Sequence, residues 1–284
     1  MNKKKTGTIW MILPLYLFTL IFVAGPLLYM VALSFATPGA VHGVEWKLTL
    51  DNYRRIWEPV YLDTFRQSFQ LALTSTLLIS LLGYPFGYFM AKLSPGGKKK
   101  AMLFLMLPFW VNSLIRLYGW IIILQNKGVL NFILKKLGLI QKPLKILYSY
   151  PAIVIGMVYV LLPFMILSVY SSAEKLDWSL VEAARDLGAS RRKAFWTVTF
   201  KLTLPGLLSG VILTFIPSMG LFFIADILGG NKIVLVGSLI QEQMTRGSNW
   251  PFGAALAVVL MILTTLMIVL YRKITNVKEL EGIG

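Results

Sequence analysis

Few residues in this sequence could act as acids, bases or nucleophiles. The chain has no cysteine and one histidine, so thiolate chemistry, a histidine-based zinc cluster and a Ser/His/Asp triad placed away from His42 are excluded. His42 lies in a polar segment, where we expect a solvated side chain and no metal. A phosphate-binding Gly-x-x-x-x-Gly-Lys-Ser/Thr loop is also absent, because Gly96-Gly97-Lys98 lacks the upstream glycine and the hydroxyl. We therefore expect no catalytic residues, no metal and no cofactor bound by this chain.

Two charged residues interrupt long apolar stretches. Asp226 is the only acid inside any of these stretches, and Arg116 lies in another one at a comparable depth. Ionisable groups at membrane depth are costly, so they pair with one another or serve a function. One interpretation is an intramembrane pair of Arg116 and Asp226 that holds two helices in register. The other is that Asp226 faces a polar path. An intramembrane enzyme is disfavoured, because no second acid or base accompanies Asp226.

The elements that position these residues are membrane-spanning helices. The 284 residues are 57% hydrophobic and 14% charged, with a mean hydropathy of +0.71, which excludes an ordinary cytosolic enzyme. A span needs about 20 apolar residues. The sequence therefore predicts an all-α polytopic membrane protein with about six spans: Ile9 to Phe35, Phe69 to Ala91, Ala101 to Leu124, Pro151 to Tyr170, Leu204 to Ile227 and Pro251 to Tyr271. The first stretch is too long for a cleaved signal peptide, and the polar stretch from Thr37 to Asp63 is predicted to be a loop.

The distribution of Lys and Arg predicts the orientation in the membrane. The chain has a net charge of +16, and most of the basic residues fall in segments that are cytoplasmic if both termini are inside. The exception is a cluster between the third and fourth spans, around Lys135 and Lys136. There the spacing of Leu130, Ile133, Leu134 and Leu137 predicts a short amphipathic helix at the outer interface. We expect a multi-pass protein of the bacterial cytoplasmic membrane.

The most informative segment is the 171–203 loop, between the fourth and fifth spans. Asp177 can cap a helix that starts at Trp178, and Gly188 can end it in the left-handed conformation. Ser190 can cap a second helix, whose first turn carries Arg191, Arg192 and Lys193. Positive charge is unfavourable at that end of a helix, so these cations are expected to face an acidic partner or lipid headgroups.

This loop resembles the EAA loop of ABC importer permeases, because Glu182-Ala183-Ala184 is followed by Gly188. The sequence departs from the family pattern at Phe200-Lys201, where Leu-Pro is usual. The resemblance is closer to the permease subunits of spermidine/putrescine ABC importers, and it covers most of the chain. It rests on Leu50 to Tyr53, Leu107 to Gly119, Leu161 to Met165, Glu182 to Ser190 and Trp250 to Ala255.

The resemblance implies a type I ABC importer permease fold and a set of partners. These are a second homologous permease subunit, a cytoplasmic ABC ATPase dimer that holds ATP and Mg, an extracytoplasmic polyamine-binding protein and membrane lipid, with no nucleic acid. The residues implied to couple to the ATPase are Glu182, Ala183, Ala184, Asp186, Leu187 and Gly188. A polyamine cation would need acceptors or aromatic faces along its path. The candidates are Asp226, Trp110, Tyr118, Tyr159, Phe222 and Phe223.

The chain divides by sequence into three parts. Residues 1–64 form the first transmembrane helix and an extracytoplasmic loop, residues 65–272 the permease core, and residues 273–284 a cytoplasmic tail. An importer permease for another small solute is the alternative function. A self-contained secondary transporter is less favoured, because paired broken helices in two similar halves are not evident. An isolated Glu-Ala-Ala is ordinary helix-forming sequence, so the assignment depends on its context.

Overall fold

The computed structural model describes residues 12–39, 43–230, 232–247 and 249–274. These residues form twelve helices and one two-stranded sheet. The predicted residue His42 lies outside the described residues. The helices are α1 (Ile12–Ser34, with a π-helical stretch at Thr19–Ala24), α2 (Asp51–Ile56), α3 (Pro59–Ala91), α4 (Pro95–Met106), α5 (Ser113–Leu124), α6 (Val129–Lys136), α7 (Tyr150–Glu174), α8 (Ser179–Asp186), α9 (Arg191–Gly220), α10 (Phe222–Gly229), α11 (Val236–Thr245) and α12 (Trp250–Ile274). Strands β1 (Thr37–Pro38) and β2 (Val44–Glu45) pair antiparallel.

Six stretches of the described chain are long and apolar enough to cross a membrane, which confirms the predicted number. They are Ile12–Ser34, Pro59–Ala91, Ser113–Lys136, Tyr150–Glu174, Arg191–Gly220 and Trp250–Lys273. The short helix predicted from the leucine spacing is present as α6, but it falls within the third candidate span, which begins at Ser113 and not at the predicted Ala101. The polar stretch predicted to be a loop is partly helical, because it contains α2 and the first turn of α3.

Two of the predicted spans are interrupted. The span predicted from Ala101 to Leu124 contains a 3-10 turn at Leu107–Trp110, where Pro108 lacks a backbone N–H, and α5 restarts at Ser113 with Asn112 as its cap. The span predicted from Leu204 to Ile227 ends at Gly220, and a short separate helix, α10, follows. Hydrophobicity runs through both breaks, so it does not reveal them.

The described residues divide into two compact units. One consists of the described residues up to Asp63 together with Leu239–Thr265, and the other of Thr64–Ser238 with the described residues from Leu266 onward. In the first unit, the amide of Asn52 donates to the carbonyls of Ser34 and Ala36 and so fixes the chain after α1. A small buried cluster of Leu33, Ala36 and Ala254 forms an apolar core in this unit.

Helix α7 is the centre of the second unit. Its buried side chains include Ile153, Met157 and Met165, which belong to one apolar core with residues of α3, α5 and α10. Two glycines allow close approach of its neighbours. A Cβ atom at Gly87 would meet the backbone of α7 at Ile166, and one at Gly206 would meet α7 at Ser172. Small residues therefore bring α3 and α9 against α7.

Candidate functional site

The 171–203 loop folds as its local sequence predicts. Helix α8 begins at Ser179, one residue later than expected, so Trp178 and not Asp177 holds the N-cap position; Asp177 Oδ1 still accepts the Ser179 N–H at 3.0 Å. Hydrogen bonds from Ser179 hold the pKa of the Asp177 carboxyl below its usual value. Ser190 Oγ likewise accepts from the Lys193 N–H at 3.3 Å and caps the first turn of α9.

Helix α8 ends in a Schellman motif. The Gly188 N–H donates to the Arg185 carbonyl at 2.9 Å, and the Ala189 N–H donates to the Ala184 carbonyl at 3.0 Å. Gly188 has a φ of +86°, a left-handed conformation that is costly for residues with a side chain. The glycine therefore sets the direction in which the chain leaves α8 towards α9.

One side of α8 is open. Glu182, Ala183 and Asp186 are exposed, and the Leu187 side chain is 90% exposed. Ala184 is half-buried. A fully exposed leucine outside the apolar spans, next to a small residue and two carboxylates, is typical of a surface that a partner covers.

The start of α8 is tied to two long helices by an aromatic cluster, which comprises Tyr84, Tyr88, Trp178, Phe195 and Phe200. The Tyr88 ring lies 6.1 Å from the Trp178 ring and 5.6 Å from the Phe195 ring, measured between centroids. Tyr84 lies 5.6 Å from Phe200, which belongs to α9. The cluster therefore joins α3, α9 and the residue immediately before α8.

One cation and two hydroxyl groups add contacts to this aromatic cluster. Lys92 Nζ lies 4.4 Å from the centroid of Tyr88 and 4.9 Å from that of Trp178. The Tyr84 hydroxyl is 2.8 Å from Thr203 Oγ1 on α9. Sequence reasoning missed the contacts of Lys92 with Trp178 and of Tyr84 with Thr203, because each joins residues more than 80 positions apart and no local spacing signals it.

The predicted pair of Arg116 and Asp226 is not formed. Asp226 Oδ1 instead accepts a hydrogen bond from Ser238 Oγ at 3.0 Å, so its partner is on α11. The Arg116 guanidinium carbon lies 5.6 Å from the Phe109 ring centroid and 5.4 Å from that of Tyr159. Arg116 Nε is buried without a hydrogen-bond partner among the described residues. Asp226 lies on α10, which is separate from α9, and this places its carboxylate beside Ser238 of α11 and not beside Arg116.

Among the described residues, Phe222 and Phe223 are the only two aromatic candidates whose rings contact each other. Tyr159 is half-buried and packs on Trp120 at 5.5 Å between ring centroids. Phe222 and Phe223 are edge-on neighbours at the start of α10. Trp110 and Tyr118 are exposed, and Trp110, at 75%, lies in the 3-10 turn. Their role along a path stays a prediction.

These features define a class: a multi-pass helical membrane protein with a capped, exposed helix between its fourth and fifth spans. Residues 83–276 match the family model of the "Binding-protein-dependent transport system inner membrane component", and the chain belongs to that family. It is thus a permease, a transport component of the inner membrane and not an enzyme. The match confirms the family resemblance and the predicted fold class.

Curated relatives extend this match to most of the chain. The sequence is 43% identical over 265 residues to the spermidine/putrescine transport system permease protein PotB of Escherichia coli strain K12, covering 92% of this chain and 96% of that protein. It is 42% identical over 264 residues to PotB of Haemophilus influenzae, covering 92% of each.

Two solved structures share the fold. A bacterial alginate ABC transporter, in complex with an alginate pentasaccharide-bound periplasmic protein, matches with a TM-score of 0.74 and 15% identity, covering 100% of this chain and 99% of that chain. The MetNI methionine ABC transporter in inward-facing conformations matches with a TM-score of 0.57 and 18% identity, covering 76% and 94% of the two chains.

Proposed function

We propose that this chain is the permease subunit of an ATP-driven importer for polyamines, spermidine and putrescine. The observation that carries the proposal is the 43% identity to PotB across 92% of the chain. A second observation supports it. Helix α8, in the 171–203 loop, is exposed and so is a suitable attachment point for a cytoplasmic ATPase dimer. That partner would hold ATP and Mg and supply the energy.

Helix α8 would enter a groove on the ATPase. Ala183 and Ala184 allow a close approach, Leu187 supplies an apolar contact, and Glu182 and Asp186 offer charges to basic residues of the partner. Gly188 holds the angle between α8 and α9.

Movement of α8 would reach the membrane through the aromatic cluster. Trp178 precedes α8 and contacts Tyr88 on α3, while Phe195 and Phe200 belong to α9. Packed rings resist shear, so a displacement of α8 would be passed to two spans together. Closure of the ATPase would then rock these spans and open the path alternately to each side.

The path would run between this chain and a second permease subunit, with an extracytoplasmic polyamine-binding protein delivering the substrate. Asp226, held by Ser238, would attract a cationic amine near the entrance. The candidate rings Trp110, Tyr118, Tyr159, Phe222 and Phe223 would supply cation–π faces. Because the chain carries a net charge of +16, the binding protein would provide most of the selectivity.

The end of the second unit that carries α8 would face the cytoplasm. Lys98 at the start of α4 forms a 3.2 Å salt bridge with Glu174 at the end of α7, so both lie at that end. Arg191, Arg192 and Lys193 follow α8 directly and are exposed. This concentration of positive charge is expected on the cytoplasmic side.

The test is charge reversal on α8. In Glu182→Lys we expect the ATPase to copurify at least about tenfold less well and spermidine uptake to fall in parallel, because a basic partner residue would be repelled. Glu58→Lys makes the same charge change in the predicted extracytoplasmic loop and should leave both measurements unchanged. Uptake by the wild-type chain in vesicles that contain no ATPase would contradict the proposal and indicate a secondary transporter.

A further inference from the structure

A cavity of about 1020 Å³ lies behind α8, between the carboxyl ends of α7 and α12 and the middle of α9. Two cations from different helices line it: Lys175, which follows α7 directly, and Arg272 near the end of α12. Among the described residues, neither forms a salt bridge. The one carboxylate among the described lining residues, Asp177, accepts the Ser179 N–H with Oδ1. The lining therefore has a net positive charge.

Hydroxyl groups cover much of the remaining polar wall. Ser209 and Tyr271 are 2.6 Å apart and join α9 to α12 at the floor of the cavity. Ser172 makes only a long, 3.5 Å hydrogen bond to the Leu202 carbonyl. Ser171 is exposed. Hydroxyl donors beside two cations are the groups that bind a phosphate in proteins.

The two cations of the cavity are expected to lie near the lipid headgroups. Lys175 and Arg272 are each within a few residues of the end of a candidate span, and Tyr271 is an aromatic residue of the kind found at the membrane interface. Positive charge at a helix carboxyl end also complements the helix dipole. The dipole accounts for each cation separately but not for their arrangement around one cavity. A bound anion accounts for that arrangement.

We propose that this cavity binds the phosphate of an anionic phospholipid, with Lys175 and Arg272 as its charged ligands. Free phosphate has the same chemistry, but the volume far exceeds a single phosphate, and apolar walls from Leu176, Leu202 and Pro205 suit the glycerol and the first acyl carbons. The lipid would bridge α7 and α12 directly behind α8. Its influence on coupling rests on the proposed function, whereas its binding does not.

The binding test uses the full chain in nanodiscs of phosphatidylcholine with a small fraction of phosphatidylglycerol, followed by native mass spectrometry of the retained lipid. We expect the double variant Lys175→Gln/Arg272→Gln to bind phosphatidylglycerol at least about tenfold more weakly than the wild type. The control Lys99→Gln/Lys100→Gln removes two exposed cations of α4, which are not part of the lining, and should retain the lipid. The charge-conserving variant Lys175→Arg/Arg272→Lys should also retain it, which separates lost charge from lost folding.

Three results would overturn the proposal. The first is equal retention of phosphatidylglycerol by the wild type and the Lys175→Gln/Arg272→Gln variant. The second is displacement of the lipid from the wild type by millimolar inorganic phosphate, which would identify a free-phosphate site. The third is displacement by the purified ATPase, which would make the cavity a protein-docking surface. Neither polyamine nor ATP is needed for lipid retention, so failure of the importer assignment would be seen separately, in uptake.

Discussion

At the scale of single residues, the end of α8 depends on one backbone conformation. Gly188 has a φ of +86°, and a Cβ built on it would meet no atom within 4 Å. A side chain would thus be penalised by the backbone alone, at about 1–2 kcal/mol for the left-handed region. This strain would lie in the turn that orients α8 relative to α9. We therefore expect it to reduce uptake more than membrane assembly.

For this reason we expect Gly188→Ala to reduce polyamine uptake several-fold while the chain still reaches the membrane. Gly188→Asn should retain more uptake than Gly188→Ala, because asparagine tolerates the left-handed conformation better. Gly96→Ala is the matched control: that glycine has no positive φ and open space around it. Uptake assays at equal membrane abundance measure the effect, and wild-type uptake in Gly188→Ala would contradict it.

Asp226 offers a second test at this scale, because its charge can be separated from its hydrogen bond. Asp226→Asn keeps an oxygen that can accept from Ser238 but removes the charge. If the carboxylate binds the amine, spermidine uptake should fall at least about tenfold. Ser238→Ala removes the hydrogen bond, keeps the charge and should have the smaller effect. The reverse order, with Ser238→Ala the more damaging, would assign Asp226 a structural role.

At the scale of elements, local chemistry predicted the loop better than the spans. The hydrogen bond of Asp177 with Ser179, the cap at Ser190 and the turn at Gly188 depend on neighbours within five positions, so the sequence signals them directly. Apolar composition also gave the number of spans. It could not locate the break at Leu221, since hydrophobicity is continuous there, whereas the break at Pro108 is signalled by the proline itself.

Long-range contacts were not predictable in the same way. The proximity of Arg116 and Asp226 was inferred from depth alone, whereas the separate α10 directs Asp226 to Ser238. Likewise, the link between Trp178 and Tyr88 depends on how α3, α8 and α9 pack, which no spacing encodes. Tertiary packing decides such partners, and a single sequence does not contain it explicitly.

The aromatic cluster leads to an element-level prediction. In Trp178→Ala, α8 keeps its exposed residues and the hydrogen bond from Ser179 to Asp177, but it loses its contact with Tyr88 and Lys92. We expect ATPase binding to stay near the wild-type level while uptake per ATP hydrolysed falls severalfold. Trp178→Phe should restore much of the coupling, because a ring is retained. Simultaneous loss of ATPase binding would instead indicate that Trp178 belongs to the docking surface.

At the scale of the whole molecule, the second unit has basic residues at both ends of α7. Helix α7 has 25 residues and separates them by about 37 Å. Lys98, Lys175 and Arg272 lie at the end with α8, while Lys135 and Lys136 of α6 lie in the connection that leads to the start of α7. Because both ends are basic, the orientation in the membrane is best tested directly, by labelling from one side.

The chain has no cysteine, so single cysteines report orientation without a background. Lys99→Cys lies beside Lys98 at the α8 end, and Leu139→Cys lies just after α6, where the leucine is 67% exposed. In intact spheroplasts, a membrane-impermeant maleimide should label Leu139→Cys at once and Lys99→Cys only after permeabilisation. Both variants avoid α8, so a bound ATPase should not mask them. Labelling of Lys99→Cys from outside would show the opposite orientation. Helix α8 would then lie outside the compartment that holds ATP, which would contradict the proposed coupling.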